Sequence, residues 1–367
     1  MKKRIFSLLT LFCLLFSLLT SCIQLTPPLS GDTAPAGNVP TEGLSEAGLQ
    51  LHFIDVGQAD AILVSSQGKH MLVDGGNVED SSLVYTYLKN HNVSHLDYVV
   101  CTHAHEDHVG GLSGALTAAS ASKVYAPVTD YDTKAFRNFV AKAGERGCAV
   151  EVPKAGTSFT LGGATVTVIG PLKQYTETND TSIVLRIVYG ETSFLLTGDM
   201  ETSAEADLLD AGVELRSTLL KLGHHGSSTS TSYRFLREVA PTYGVISVGT
   251  DNSYGHPNDE VLSRLRDADV ILYRTDLQGD VICSSDGKTL TFTTNKGTGQ
   301  PTNPTESEKT PSDSNAATEY GYIGNLNTKK FHLPTCSHVP QEQNRIYFIT
   351  REEAVGNGYD PCGTCKP

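Results

Sequence analysis

At 367 residues and 39% hydrophobic content, the chain is long enough for two domains with a full apolar core. Its formal net charge of −13 excludes holding nucleic acid through bulk electrostatics, which needs clustered Lys and Arg, but leaves open cutting nucleic acid at a metal site. Setting aside the first twenty-one residues, which carry Lys2, Lys3 and Arg4 and no acids, the balance becomes 25 − 41 = −16.

The chain starts with Lys2-Lys3-Arg4 followed by an apolar stretch, Ile5 to Thr20, too short for an ordinary transmembrane helix. This is an export signal. It ends in Leu19-Thr20-Ser21-Cys22, which resembles a bacterial lipobox and implies cleavage before Cys22 with lipid on its sulfur. The alternative is a soluble secreted protein cut nearby. Residues 22–47, rich in Pro, Gly, Thr and Ser, then read as a flexible tether. No second hydrophobic span follows.

Leu49 to Val64 reads as two strands around a turn at Gly57, and His70 to Asp74 as a third. A helix is predicted over Ser81–Asn90, with Leu83, Tyr87 and Leu88 on its buried face. An apolar strand, Leu96–Thr102, follows. Next come a strand near Lys123–Pro127, a helix near Thr133–Arg146, and strands near Thr165–Ile169, Ser182–Tyr189 and Phe194–Thr197. A helix over Glu201–Ala211, a strand over Ser217–Leu222, a helix over Ser232–Val239 and a strand over Tyr243–Val248 complete the pattern. It predicts two sheets with helices outside, an α+β arrangement. Residues 48–296 form this domain, 297–317 a Pro/Thr/Ser/Glu linker, and 318–367 a compact terminal module.

The chemistry concentrates at strand ends. His103-Ala104-His105-Glu106-Asp107-His108 follows the apolar strand directly, and three of the chain's 12 His lie in these six residues. Imidazole and carboxylate side chains gathered there suit zinc, manganese or iron, with room for two ions. Gly110-Gly111 fits a tight passage into a covering helix. Asp199 ends another apolar strand, where a carboxylate can bridge two cations. Leu219–Leu222 delivers His224 and His225 to a loop, and His256 follows a further strand. Lys221 reads as a solvated or structural cation. Cys101, Cys148 and Cys283 read as buried thiols.

Together, H-x-H-x-D-H, the later Gly198-Asp199, Lys221-Leu222-Gly223-His224-His225-Gly226-Ser227 and Tyr254-Gly255-His256-Pro257 resemble the metallo-β-lactamase superfamily. Within it, Phe53-Ile54-Asp55-Val56-Gly57-Gln58-Ala59-Asp60 is similar to the extracellular hydrolase domain of ComEC-type competence proteins, and phosphorylcholine esterases share these segments. The resemblance covers about residues 48 to 294 and implies an αββα sandwich with metals at one edge of the sheets. It implies that His103 and His105 hold one ion, that Asp107, His108 and His225 hold a second, and that Asp199 bridges them. Asp74 would orient a ligand His as an outer acceptor. Asp107, His224 and His256 are the residues assigned to catalysis. Many superfamily members carry one more His ligand, yet none occurs between His108 and His224. Asp180 or Asn179 is the candidate to replace it, or a water takes the place. The missing His also argues against β-lactam hydrolysis.

At the C-terminus, His332-x3-Cys336 with Cys362-x-x-Cys365 offers four ligands for a structural zinc. The alternative is a disulfide, favoured by export, although three cysteines cannot all pair. Arg351-Glu352-Glu353-Ala354 and Gly358-Tyr359-Asp360-Pro361 resemble the small zinc-binding domain of Ada-type DNA-repair proteins. The methyl-accepting Cys position of that family falls on His332, so alkyl transfer is not expected. The resulting expectation is a lipid-anchored, extracytoplasmic phosphodiesterase with two divalent ions (Zn or Mn), one structural Zn, and DNA as substrate. The alternatives are a small-molecule phosphoesterase and a non-catalytic DNA-binding protein. No protein partner is inferable.

Overall fold

The computed structural model describes residues 48–302, 321–348 and 350–367, all within one compact unit. The predicted signal, Cys22, the tether and most of the linker lie outside the described residues. Among the described residues no helix is long and apolar enough to cross a membrane.

The first sheet is laid down by β1 (Leu49–Phe53), β2 (Ile62–Ser66), β3 (Lys69–Val73), β4 (His95–Val100), β5 (Ser120–Tyr125) and β6 (Val150–Glu151). Helices α1 (Ser81–Asn90), α2 (Glu106–Val109), α3 (Leu112–Ala118) and α4 (Lys134–Glu145) connect its parallel half. The second sheet comprises β7 (Ser158–Leu161), β8 (Ala164–Gly170), β9 (Val184–Tyr189), β10 (Thr192–Leu196), β11 (Leu219–Lys221), β12 (Tyr243–Ile246) and β13 (Ile271–Arg274). Its crossovers carry α5 (Thr202–Asp210), α6 (Tyr233–Val239) and α7 (Asp259–Asp267). After the short α8 (Thr275–Gln278) the chain returns to the first sheet as β14 (Val281–Ser285) and β15 (Leu290–Thr294), β14 pairing antiparallel with β1. The strand orders are β15-β14-β1-β2-β3-β4-β5-β6 and β13-β12-β11-β10-β9-β8-β7.

Three apolar layers follow. Phe53, Val64, Met71, Phe194 and Leu219 pack between the sheets. Leu72, Val99, Leu112, Phe136 and Phe139 seal the first sheet under its helices, and Leu220, Phe235, Val261 and Leu265 seal the second. Each such side chain contributes roughly 1.5–3 kcal/mol on burial. This is the predicted αββα sandwich. Two details differ from the sequence reading. Helix α1 buries Val84 and Leu88 while Leu83 is 40% exposed, because its inward stripe starts one residue later. Cys148 is only partly buried, unlike Cys101 and Cys283.

The terminal module has its own sheet of β16 (Tyr322–Asn325), β17 (Lys330–His332), β18 (Arg345–Phe348) and β19 (Asp360–Pro361), ordered β18-β16-β17-β19, with α9 (Arg351–Gly356). Phe331, Phe348, Ala354 and Tyr359 form its small core.

Candidate metal centre

Topology brings the predicted residues together. Strands β3, β4 and β5 run parallel, as do β10, β11, β12 and β13, so their C-terminal ends share one edge of the sandwich. Asp74 follows β3, His103 to His108 follow β4, Asp199 follows β10, and His224 and His225 follow β11. The approach of these loops is close. A Cβ at Gly111 would sit 1.9 Å from the Gly75 carbonyl oxygen and one at Gly110 would sit 2.3 Å from the Val78 nitrogen. Glycine is needed here for backbone approach rather than for a left-handed φ. Asp74, His224 and His225 do adopt positive φ (59°, 49° and 51°), a strain that non-glycine residues sustain where the surroundings hold them.

One atom each from Asp107, His108, Asp199 and His225 lies within 4.8 Å of the others. His108 Nε2 stands 3.3 Å from Asp199 Oδ1, and His225 Nε2 stands 3.3 Å from Asp107 Oδ2 and 3.6 Å from Asp199 Oδ2. His103 Nε2 approaches the same Asp199 oxygen as His225, at 3.9 Å from Oδ2, and lies 3.1 Å from His105 Nδ1. Asp199 thus adjoins His103 as well as the other three members of the group, which leaves out His103 and His105. His108 Nε2 and Asp199 Oδ1 are both buried without a hydrogen-bond partner, an expensive arrangement that a cation between them would relieve. The donor set is imidazole and carboxylate, which fits Zn, Mn or Fe.

Electrostatics support the same reading. Burial alone would raise Asp199, but the His108, His225 and His103 rings outweigh it and hold the carboxyl well below the usual range. Burial opposes a charge on His108, yet Asp199, Asp107 and Asp74 raise it well above 6.5. Burial, aided by His108, keeps His103 well below 6.5. Outside this group, Asp74 Oδ2 accepts from His108 Nδ1 at 2.8 Å and from the Thr102 hydroxyl at 2.7 Å, while Oδ1 accepts from the Thr102 amide. Asp74→Asn is expected to weaken metal affinity by roughly 10–100-fold, since it unseats the ring that presents Nε2. Calorimetric zinc titration of the variant checks this, and wild-type affinity would remove Asp74 from that role.

Over the group opens a cleft of about 910 Å³, lined by His105, Asp107, Asp199, His224, His225 and His256 among others. His224 Nδ1 is held 3.1 Å from Glu201 Oε1, with Nε2 3.8 Å from Asp199 Oδ2. His256 Nδ1 lies 3.4 Å from Gln58 Nε2, and its ring stacks on Tyr254 at 5.7 Å. Burial, with His224 and His225 nearby, lowers the His256 proton affinity.

In the terminal module, His332, Cys336, Cys362 and Cys365 each bring a ligand atom within 4.8 Å of the rest, and the cysteines are unbridged. Burial opposes ionisation of Cys362, but the His332 ring and the Cys365 and Thr364 amides bring it down to about 6. A thiol poised to ionise is what a zinc site needs.

Comparison with known proteins agrees with this geometry. Residues 54–250 match the metallo-beta-lactamase superfamily. The chain belongs to that superfamily. Residues 309–367 match the metal binding domain of Ada. Among curated relatives, ComE operon protein 3 of Bacillus subtilis (strain 168) is 27% identical over 251 residues, covering 63% of this chain and 32% of that protein. Competence protein ComA of Neisseria gonorrhoeae is 34% identical over 228 residues, covering 61% of this chain and 30% of that protein. The chain therefore spans about a third of the length of the curated relatives it matches. Among solved structures, the metallo-beta-lactamase fold protein YhfI from Bacillus subtilis aligns at TM-score 0.44 and 13% identity, over 65% of this chain and 100% of that one.

Against the superfamily pattern, one candidate moves. Asp180 stays outside the ligand groups; its Oδ1 accepts from the amides of Glu201 (3.0 Å) and Ala204 (3.4 Å) and so tethers the start of α5. Neighbouring Asn179 does line the cleft, with Nδ2 3.2 Å from Glu201 Oε1. Lys221 is not solvated but fully buried, 2.9 Å from Asp60 Oδ2. Asp60 was legible only as the end of a resembling segment, and Glu201 and Gln58 as positioning groups were not legible. Their partners, His224 and His256, are remote in sequence.

Proposed function

We propose that this protein is a metal-dependent phosphodiesterase anchored at the cell envelope by lipid on Cys22, acting on DNA. The observation that carries the reading is the gathering of Asp107, His108, His225 and His103 around the buried Asp199 carboxylate beneath an open cleft. The likeness to ComE operon protein 3 and competence protein ComA supports DNA as the substrate. Ions held by these residues supply Lewis acidity toward a phosphoryl oxygen and the activation of water near neutral pH.

The chain's own residues do the rest. Glu201 anchors the Nδ1 side of His224 and leaves Nε2 on the cleft wall, placed to hydrogen-bond a phosphoryl oxygen or protonate the leaving oxygen. His256, with its lowered proton affinity, works as a neutral imidazole held by Gln58 and offers one hydrogen bond. Tyr254, 72% exposed at the same cleft, presents a flat face for a base.

A second reading has its own support. Among the described residues lining the cleft none is Lys or Arg, while Glu79 and Glu106 are present, so no backbone-tracking cation path adjoins the site. That favours a small phosphodiester such as a choline phosphoester. A direct comparison decides. The mature chain loaded with Mn or Zn is assayed on a single-stranded oligodeoxynucleotide, bis-p-nitrophenyl phosphate and p-nitrophenylphosphorylcholine. Oligonucleotide cleavage is expected; turnover confined to the choline ester moves the assignment to the second reading, and DNA binding without any turnover defeats both.

A further inference from the structure

Helix α7 ends on Asp267, only 1% exposed. A carboxylate there is doubly disfavoured, by burial and by the negative end of the helix dipole, so it needs compensation. Part comes from the terminal module: Asn325, at the end of β16 and fully buried, donates its Nδ2 to Asp267 Oδ2. The other oxygen, Oδ1, is buried without a hydrogen-bond partner.

His332 shows the complementary deficit. It is fully buried, its Nδ1 lies 3.6 Å from Cys336 Sγ inside the four-ligand cluster, and its Nε2 is buried without a partner. His332 on β17 pairs with Ile323 of β16, the strand whose Asn325 bonds Asp267, and the Tyr233 hydroxyl lies beside the Asp267 carboxylate at the same junction. Two residues on, Asp269 holds both ligand-bearing segments of the module. Its Oδ1 accepts from the Thr364 hydroxyl at 2.8 Å, between Cys362 and Cys365, and its Oδ2 from Lys330 Nζ at 3.4 Å, on β17.

We propose that Asp267 of the hydrolase domain is the outer hydrogen-bond partner of His332 in the module's zinc site, making zinc occupancy and docking of the module one coupled equilibrium. A ligating imidazole ordinarily donates its second N–H to a carboxylate, and Asp267 supplies it here from another domain, across one bridging water. Metal on Nδ1 makes Nε2–H a stronger donor toward Oδ1, so each event favours the other by the same factor. Asp267 is a positioning residue and has no part in hydrolysis.

The test is a cobalt titration of the full chain. Thiolate-to-cobalt absorption reports the cysteine site, since the hydrolase cluster offers only imidazole and carboxylate. Asp267→Asn, which keeps the shape and a weak acceptor, is expected to weaken cobalt binding about 10-fold, and Asp267→Ala nearer 100-fold. Amide exchange over residues 259–269 should slow when wild type takes up zinc, and much less in Asp267→Asn or in the metal-blocked Cys365→Ser. Cobalt affinity within threefold of wild type in folded Asp267→Asn overturns the proposal, as does exchange in α7 that ignores zinc. Should Asp267→Ala fail to fold, the Asn variant carries the test alone.

Discussion

Asp199→Ala is expected to lower phosphodiester hydrolysis by well over 100-fold while the protein stays folded. Loss of an outer hydrogen-bond partner at a metal site typically costs about 10–100-fold, and Asp199 is central to the group itself. Its two oxygens face His108 Nε2, His225 Nε2 and, at 3.9 Å, His103 Nε2, so one side chain adjoins three of the candidate ligands. The variant also weakens electrostatic support for a charge on His108, whose proton affinity Asp199 raises more than any other carboxylate. The turn itself should persist. The Asp199 amide donates to Ser182 Oγ at 3.1 Å, and Gly198, at φ 53°, supplies the bend; neither depends on the Asp199 side chain. Removing one of several clustered carboxylates also relieves repulsion with Asp107. Metal stoichiometry, circular dichroism and initial rates on one preparation separate these effects. Turnover within tenfold of wild type, at full metal loading, would refute the bridging assignment.

What the sequence disclosed depended on how local each signal was. H-x-H-x-D-H sits within one loop, so its residue types alone announce a metal site. Asp199 and His225 became convincing because each ends an apolar run, and parallel strands put such ends on one edge. The groups that orient those residues carry no comparable mark. Asp60 meets Lys221 across the two sheets, and Gln58 meets His256 from the far end of the chain. A lysine in an otherwise apolar strand looks the same whether it is solvated or paired, and only the fold decides. Strands β14 and β15 carry no comparable local signal because their place is set by distant partners, as when Val281 pairs with Phe53. The Leu83 error has the same root: in α1 the apolar spacing fits two adjacent stripes, and packing on α3 selects the one through Val84. Asp180 shows the opposite trap. A carboxylate close to a metal site in sequence was available for coordination by type, yet the free amides at the start of α5 had the prior claim.

Lys221→Met should cost about 3–5 kcal/mol of stability, the largest penalty expected of any single replacement near the site that leaves every candidate ligand in place. Lys221 Nζ is fully buried between Asp60 Oδ2 at 2.9 Å and the Leu222 carbonyl oxygen at 2.9 Å. Removing it strands the Asp60 carboxylate in the interior, with only the more distant His225 Nδ1 (3.5 Å) and His108 Nδ1 (4.0 Å) for company. Both rings are already committed elsewhere, His225 to the Ser247 carbonyl and His108 to Asp74, so neither can neutralise Asp60 without disturbing the cluster. The penalty therefore comes from an uncompensated charge rather than a lost attraction, and that distinction is testable. Asp60→Asn combined with Lys221→Met removes both charges and should recover most of the loss, whereas two independent contributions would add. Urea unfolding of the metal-free single and double variants measures it. A single variant within about 1 kcal/mol of wild type would mean that the pair does not brace the site.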